Sequence, residues 1–429
     1  MVKGKLLLLF LVGCLFTGRS FGQQNFVKTK GTQFTIDGKP YYYIGANYWY
    51  GGLLQAVKGE QGRKRLKQEL DFLKAKGVTN LRIMAGSEGL GQINGVKRVS
   101  PSLQPQEGVF KPELLKSLDY LLNEMHHRNM RAVLFLSNNW EWSGGFLQYL
   151  NWNGKLDETT LRKKLSWEEQ RDLTSQFYNC EGCKKDYERQ VKMILSHVNT
   201  YNQLKYTNDP TIMSWELANE PRPMRADAVG AYEQWILATA TLIRSIDKNH
   251  LITIGTEGVQ GTEDRASLYQ DIHSSKTIDY LTIHIWPKNW GWFRDSSIVD
   301  SLPQVIQKSL AYIKQHAAMA VSLQKPLVIE EFGLPRDRQS FDPASATTSR
   351  DRYYEAIFSA FKQSAENSGA IGGCNFWAFG GMIHPVPGQV FWKEGDSFIG
   401  DPPQEEQGLN AVFSTDQSTW KTIEKYIPQ

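Results

Sequence analysis

Little in this chain is in excess, and its absences narrow what it can be. Among 429 residues there are four cysteines and eight histidines, and Lys plus Arg outnumber Asp plus Glu by only 49 to 45. With charge so nearly balanced and no basic stripe, a nucleic-acid partner is not expected. Cys180 and Cys183 form one C-x-x-C, but no second pair or histidine cluster stands near to complete a zinc site. Without a strand-loop-helix context a thioredoxin-type role is also out. A tight local disulfide or two idle thiols remain, and Cys374 reads as core. No metal or cofactor is expected. No Ser/Thr/Pro-rich linker, repeat or low-complexity tract marks a second domain. The stretch Asn47-Tyr48-Trp49-Tyr50-Gly51-Gly52 is no phosphate-cradling loop, which argues against a doubly wound nucleotide fold.

What is present is apolar and aromatic. Hydrophobic residues make up 41% and aromatics 12%, including 13 Trp, 18 Tyr and 20 Phe. That is ample for a large core, and flat aromatic faces suit the apolar faces of sugar rings, although most must be ordinary core. The chain is long for one domain, but barrels run from about 250 to beyond 400 residues through loop insertions. Residues 1–22 read as an export signal: Lys3 and Lys5, an apolar run from Leu6 to Phe16, then small residues at Ser20 and Gly22. A rival reading takes Leu11-Val12-Gly13-Cys14 as a lipoprotein box, which would anchor the protein to a membrane through Cys14. Residues 23–429 are expected to form one catalytic domain, secreted or periplasmic and monomeric.

Eight strand-like runs are expected at 41–47, 80–84, 131–136, 212–218, 251–255, 280–285, 327–331 and 373–379. They are apolar or β-branched almost throughout, as in strands buried on both faces. Amphipathic stretches separate them at 63–76, 112–128, 186–204, 227–247, 303–323 and 349–368, with a weaker one at 265–273. Eightfold strand-helix alternation predicts an α/β fold, a (β/α)8 TIM barrel. Two long loops, 137–183 and 380–417, follow strands and so fall on the C-terminal face, where barrel active sites are built.

Two motifs place carboxylates at the ends of such runs: Trp215-Glu216-Leu217-Ala218-Asn219-Glu220-Pro221 and Val328-Ile329-Glu330-Glu331-Phe332-Gly333. Two carboxyl groups in one cleft are the minimum equipment for cutting a glycosidic bond, one as acid and one as nucleophile or base. Beside aromatic walls the charged form of Glu220 is disfavoured, so its pKa is expected to rise, as suits a proton donor. Side chains alternate along a strand, so only one of Glu330 and Glu331 is expected to look into the barrel mouth. Glu216 is expected to be the buried partner of a barrel arginine. Arg82, among apolar neighbours, needs a carboxylate, whether the nucleophile or a structural one. His284 closes the sixth run at the functional face. Trp377 either floors a sugar site or packs in the core.

At these residues the chain resembles glycoside hydrolase family 5, and within it the β-mannanase subgroup. The likeness includes Gly45-Ala46-Asn47-Tyr48-Trp49, Leu81-Arg82, Asn138-Asn139-Trp140, 215–222, Ile254-Gly255-Thr256-Glu257-Gly258, His284, 330–333 and Phe376-Trp377. It implies Glu331 as nucleophile, with Glu330 a variable neighbour, Glu220 as acid/base and Asn219 on the sugar 2-hydroxyl. Arg82 and His284 would support the carboxylates, with Trp49, Trp140, Trp286 and Trp377 binding substrate or supporting the site. Trp286 departs from the family, which usually has a tyrosine there; an indole N–H donates but cannot accept. The resemblance implies a retaining endo-β-1,4-mannanase acting on β-mannan polysaccharide or oligosaccharide, with carboxyl groups about 5 Å apart. The alternatives are an exo-acting β-mannosidase or a β-1,4-glucanase of the same family, and a non-catalytic glycan-binding protein that keeps the aromatic cleft.

Overall fold

The computed structural model describes residues 25–294 and 298–428. The expected leader and Cys14 lie outside the described residues. Eight parallel strands form the centre: β1 (Tyr43–Asn47), β2 (Asn80–Met84), β3 (Arg131–Phe135), β4 (Ile212–Glu216), β5 (Leu251–Thr253), β6 (Leu281–Ile285), β7 (Leu327–Phe332) and β8 (Ile371–Phe376). Every residue of these strands is buried, which is why they read as near-continuous apolar runs broken by a few polar residues. Their order is β5-β4-β3-β2-β1-β8-β7-β6. The two outermost strands meet through Asp279 N–H donating to Ile252 O at 2.8 Å and His284 N–H to Glu257 O at 3.1 Å, which draws the sheet into the expected barrel.

The helices follow in turn: α1 (Leu54–Ala75), α2 (Pro112–His126), α3 (Glu181–Leu195), α4 (Val229–Ile246), α5 (Ala266–Ser274), α6 (Ile298–Leu323), α7 (Thr348–Glu366) and α8 (Gln417–Tyr426). Helix α1 starts nine residues before the expected 63, because Gly59 at φ 52° kinks it and hides its first turns from a periodicity count. Helix α3 stops at Leu195 instead of reaching 204. Beyond it, Asn199 Oδ1 accepts Tyr201 N–H at 2.9 Å and Asp119 takes Thr200 N–H at 2.9 Å, turn chemistry that competes with a helix. Among the described residues no helix is long and apolar enough to cross a membrane.

An antiparallel hairpin precedes the barrel (Lys28–Lys30, Gln33–Ile36 and Lys39–Pro40). It drives Phe34 into a cluster with Val27, Tyr43, Met213, Leu251, Tyr280 and Val328. These barrel residues lie at or near the starts of their strands, or just before them, so the hairpin plugs the N-terminal end and leaves the other end for chemistry. There, the loop expected at 137–183 is largely helical, with helices at Gly145–Trp152, Glu158–Arg162 and Trp167–Thr174. A third long loop, 85–111, went unmarked in the sequence reading. It is tied to its neighbour through buried Arg98, which donates to Gln148 Oε1 at 2.6 Å. The loop after β8 is fastened in turn: Asp401 accepts Gly408 N–H at 2.7 Å, and Arg336 grips Asp416 at 2.7 and 2.8 Å. Cys180 and Cys183 form a disulfide, and Cys374 is buried and free.

Candidate active site

Arg82 on β2 is the hub beneath the cleft. It donates to Glu216 at 2.8 and 2.5 Å, to Asn219 Oδ1 at 2.7 Å, to Asn47 Oδ1 at 3.1 Å and, through a short bond, to Glu331 Oε1. Burial works against the guanidinium charge, but Glu216, Glu331 and Glu330 together hold it fully protonated. Both sequence readings of Arg82 are thus realised at once: it pairs with a structural carboxylate and with the expected nucleophile. Glu216 is the expected buried partner of the arginine.

The strict alternation expected at Glu330 and Glu331 is broken. Along the β6–β7 pairing, Ile283 faces Ile329 and His284 faces Glu331, so the register slips by one at Glu330. Both carboxylates therefore reach His284, Glu330 at 3.4 Å to Nε2 and Glu331 at 3.4 Å to Nδ1. Only Glu331 lines the cleft. Glu331 also accepts Trp286 Nε1–H at 3.0 Å, so the tryptophan that departs from the family pattern still reaches this carboxylate as a donor.

Glu220 follows β4 in a left-handed conformation at φ 51°, an uncommon setting for glutamate. Its backbone is pinned there: Glu220 N–H donates to Gly255 O at 2.9 Å, and Asn219 N–H to Ser137 O at 2.8 Å. The side chain accepts from His284 Nδ1 at 2.6 Å and from Trp140 Nε1–H. Burial alone would push the Glu220 carboxyl up, as expected from the sequence. The hydrogen bond and charge of His284, the charge of Arg222 and the Trp140 donor outweigh it, and in the substrate-free cleft the group lies below its ordinary value. For Glu331 burial prevails, aided by the charge of Glu220, over the pull of His284, Arg82 and Trp286, and its value is raised. Burial disfavours the His284 charge, yet Glu331, Glu220 and Glu330 push its pKa up to about 10. Protonated, it has no lone pair for a metal, although Glu220, His284 and Glu331 are the metal-ligand-like group among the described residues, each with an atom within 4.8 Å of the others.

These groups floor a cleft of about 600 Å³ whose walls include Trp140, Trp167, Trp286, Trp290 and Trp377. Trp377 meets Trp286 edge-on, ring centres 5.6 Å apart, and so both packs and faces the cleft. Trp49 does not line it. It is buried below, donating to Gly400 O at 2.8 Å and packing on Trp142 and Phe398, so its part is to hold the loop after β8. Several other wall residues have no role assigned by the motifs above. Arg222 pairs with Glu257 at 2.5 Å and lies over Trp140 at 5.1 Å, and burial, against Arg222, pushes the Glu257 carboxyl up to about 7. Glu257 follows β5 just as Glu220 follows β4, so the strand-end rule applied to the fifth run would have found it. Glu405, far from any strand end, carried no such signal.

A parallel barrel with two glutamates converging at its open end defines the class, a glycoside hydrolase. The family model described as GH family 5 beta-mannosidase-like matches residues 24–429, and the chain belongs to that family. It is 30% identical over 376 residues to mannan endo-1,4-beta-mannosidase 2 of Arabidopsis thaliana, covering 83% of this chain and 79% of the relative. It is 30% identical over 371 residues to mannan endo-1,4-beta-mannosidase 4 of Solanum lycopersicum, covering 84% of each. A crystal structure of a glycoside hydrolase family 5 mannosidase from Rhizomucor miehei, in complex with mannosyl-fructose, matches with a TM-score of 0.83 at 32% identity, over 94% of this chain and 96% of that one.

Proposed function

We propose that the protein hydrolyses β-1,4-mannosidic bonds with net retention, cutting within mannan, glucomannan or galactomannan chains. The observation that carries this is the spacing: a Glu220 oxygen and a Glu331 oxygen lie within 4.8 Å of each other. Retaining enzymes hold their carboxyl groups about 5–5.5 Å apart, whereas inverting enzymes leave about 6.5–9.5 Å for a water. The named mannan-cleaving relatives support the sugar.

His284 Nδ1 donates to Glu220 Oε1. With substrate in the cleft, Glu220 carries a proton taken from solvent and gives it to the leaving oxygen while Glu331 attacks the anomeric carbon. Arg82 and Trp286 hold Glu331 for the attack. In the second step Glu220 takes a proton from water, the hydroxide attacks the anomeric carbon, and Glu331 leaves as carboxylate. Glu331→Ala is expected to abolish hydrolysis of β-mannan without unfolding the protein, and the first product seen by NMR is expected to be the β-anomer. Full activity in that variant, or an α-anomer appearing first, sinks the reading.

A second reading, exo attack from a chain end, has one observation in its favour. The loop after β8 brings Gln404 and Glu405 into the cleft wall, and Glu405 Oε2 is buried with no hydrogen-bond partner. A wall at one end admits a chain terminus and obstructs a through-running polymer. Product profiles decide: long oligomers early mean endo action, and single sugars mean exo action. Export as a monomer belongs to the same proposal, supported by the apolar leader and by a disulfide suited to an oxidising compartment. Mass spectrometry of the mature protein would find either a start near Gln23 or a lipid on Cys14.

A further inference from the structure

Most tryptophans here are buried; Trp167 is not. Its ring stays 47% exposed while forming part of the cleft wall. A half-exposed indole at the edge of a sugar site leaves part of a flat apolar face open to a ligand. Its position is also fixed. Trp167 opens the helix Trp167–Thr174, started by a capping box between Ser166 and Glu169. That helix is tied to the segment after Glu220: Arg171 donates to Met224 O at 2.8 Å, and Arg225 to Asp172 at 2.7 Å. The ring is therefore held in register with the strand end that carries the acid.

The neighbouring ring sets the direction. Trp140 donates to Glu220, so the sugar beside Trp140 is on the leaving-group side of the scissile bond. Trp167, the more exposed of the two, has its ring centre 6.2 Å from that of Trp140 and its plane inclined by 30°. That spacing is comparable with the length of one sugar residue in a β-1,4 chain, and the two rings are inclined little enough to follow consecutive sugars. We propose that Trp167 is the stacking platform for the second sugar on the leaving-group side, making it a determinant of substrate length. The inference rests on the β-mannan reading above.

The test compares kcat/KM for mannotetraose and mannobiose in the wild type, Trp167→Ala and Trp167→Phe. Mannobiose ends at the first leaving-group sugar and cannot reach Trp167. The mannotetraose-to-mannobiose ratio is expected to fall about tenfold in Trp167→Ala, mainly through KM, with part of it kept in Trp167→Phe. An unchanged ratio overturns the proposal, as does an equal fall on both substrates, which would mark a merely structural ring. A wild type inactive on every manno-oligosaccharide would instead overturn the functional reading beneath it.

Discussion

At the scale of single residues, the site is governed by how few cations serve how many carboxyl groups. Arg82 is bonded to Glu216, Glu331, Asn219 and Asn47 with no water needed to complete the set. Removing it leaves buried carboxylates uncompensated. Arg82→Ala is accordingly expected to cost about 3–5 kcal/mol in chemical denaturation, besides losing activity. A variant as stable as the wild type would mean that the carboxylates find protons or other partners freely. His284 supplies a pH test. Its folded value of about 10 lies above its ordinary 6.5, so its stabilising charge is fully present below about 6.5 and is lost as pH rises toward 10. The melting-temperature gap between wild type and His284→Asn is expected to be widest near pH 6 and to narrow by pH 10. A gap that stays constant or widens would show that the imidazolium is not what the carboxylates hold.

At the scale of elements, the barrel was legible because its strands are buried on both faces and therefore read as near-continuous apolar runs. The extra helices of the 137–183 loop were not, since segments of five to eight residues show too little periodicity. One of them opens on a capping box between Ser166 and Glu169, a local signal that the expectation of a loop passed over. The site was legible where chemistry sits at strand ends, as at Glu220, Glu331 and His284. It was illegible where it depends on register. The slip at Glu330 brings two adjacent glutamates to one histidine, and nothing in the sequence marks it. Trp49, expected to bind substrate or support the site, lines no part of the cleft and packs beneath a loop, a distinction the motif alone does not draw. One glycine connects element to site. Gly255, at φ 84°, crosses close behind β4, where a methyl group would stand 2.2 Å from Glu216 Oε1 and 2.3 Å from Ala218 O. Gly255→Ala is expected to displace Glu216 from Arg82, lowering stability by about 1–3 kcal/mol and turnover with it. A crystal structure of the variant with the Arg82–Glu216 pair intact would refute this.

At the scale of the whole molecule, the two ends of the barrel do different work, and stability can be probed at the end that does no chemistry. Phe34 is fully buried and sits edge-on to Tyr280 with ring centres 5.2 Å apart. Phe34→Ala is expected to cost about 3–5 kcal/mol of global stability while kcat at ambient temperature stays near that of the wild type. A large loss of turnover in the still-folded variant would mean the two ends are coupled.

The same plug fixes how the enzyme would present itself to a polymer. Asn25, whose carbonyl accepts from Arg131, enters the structure at the plugged end. The described chain thus begins on the side opposite the catalytic mouth. Any contact made through that plugged end would leave the mouth turned away from it, open to polysaccharide arriving from the other side.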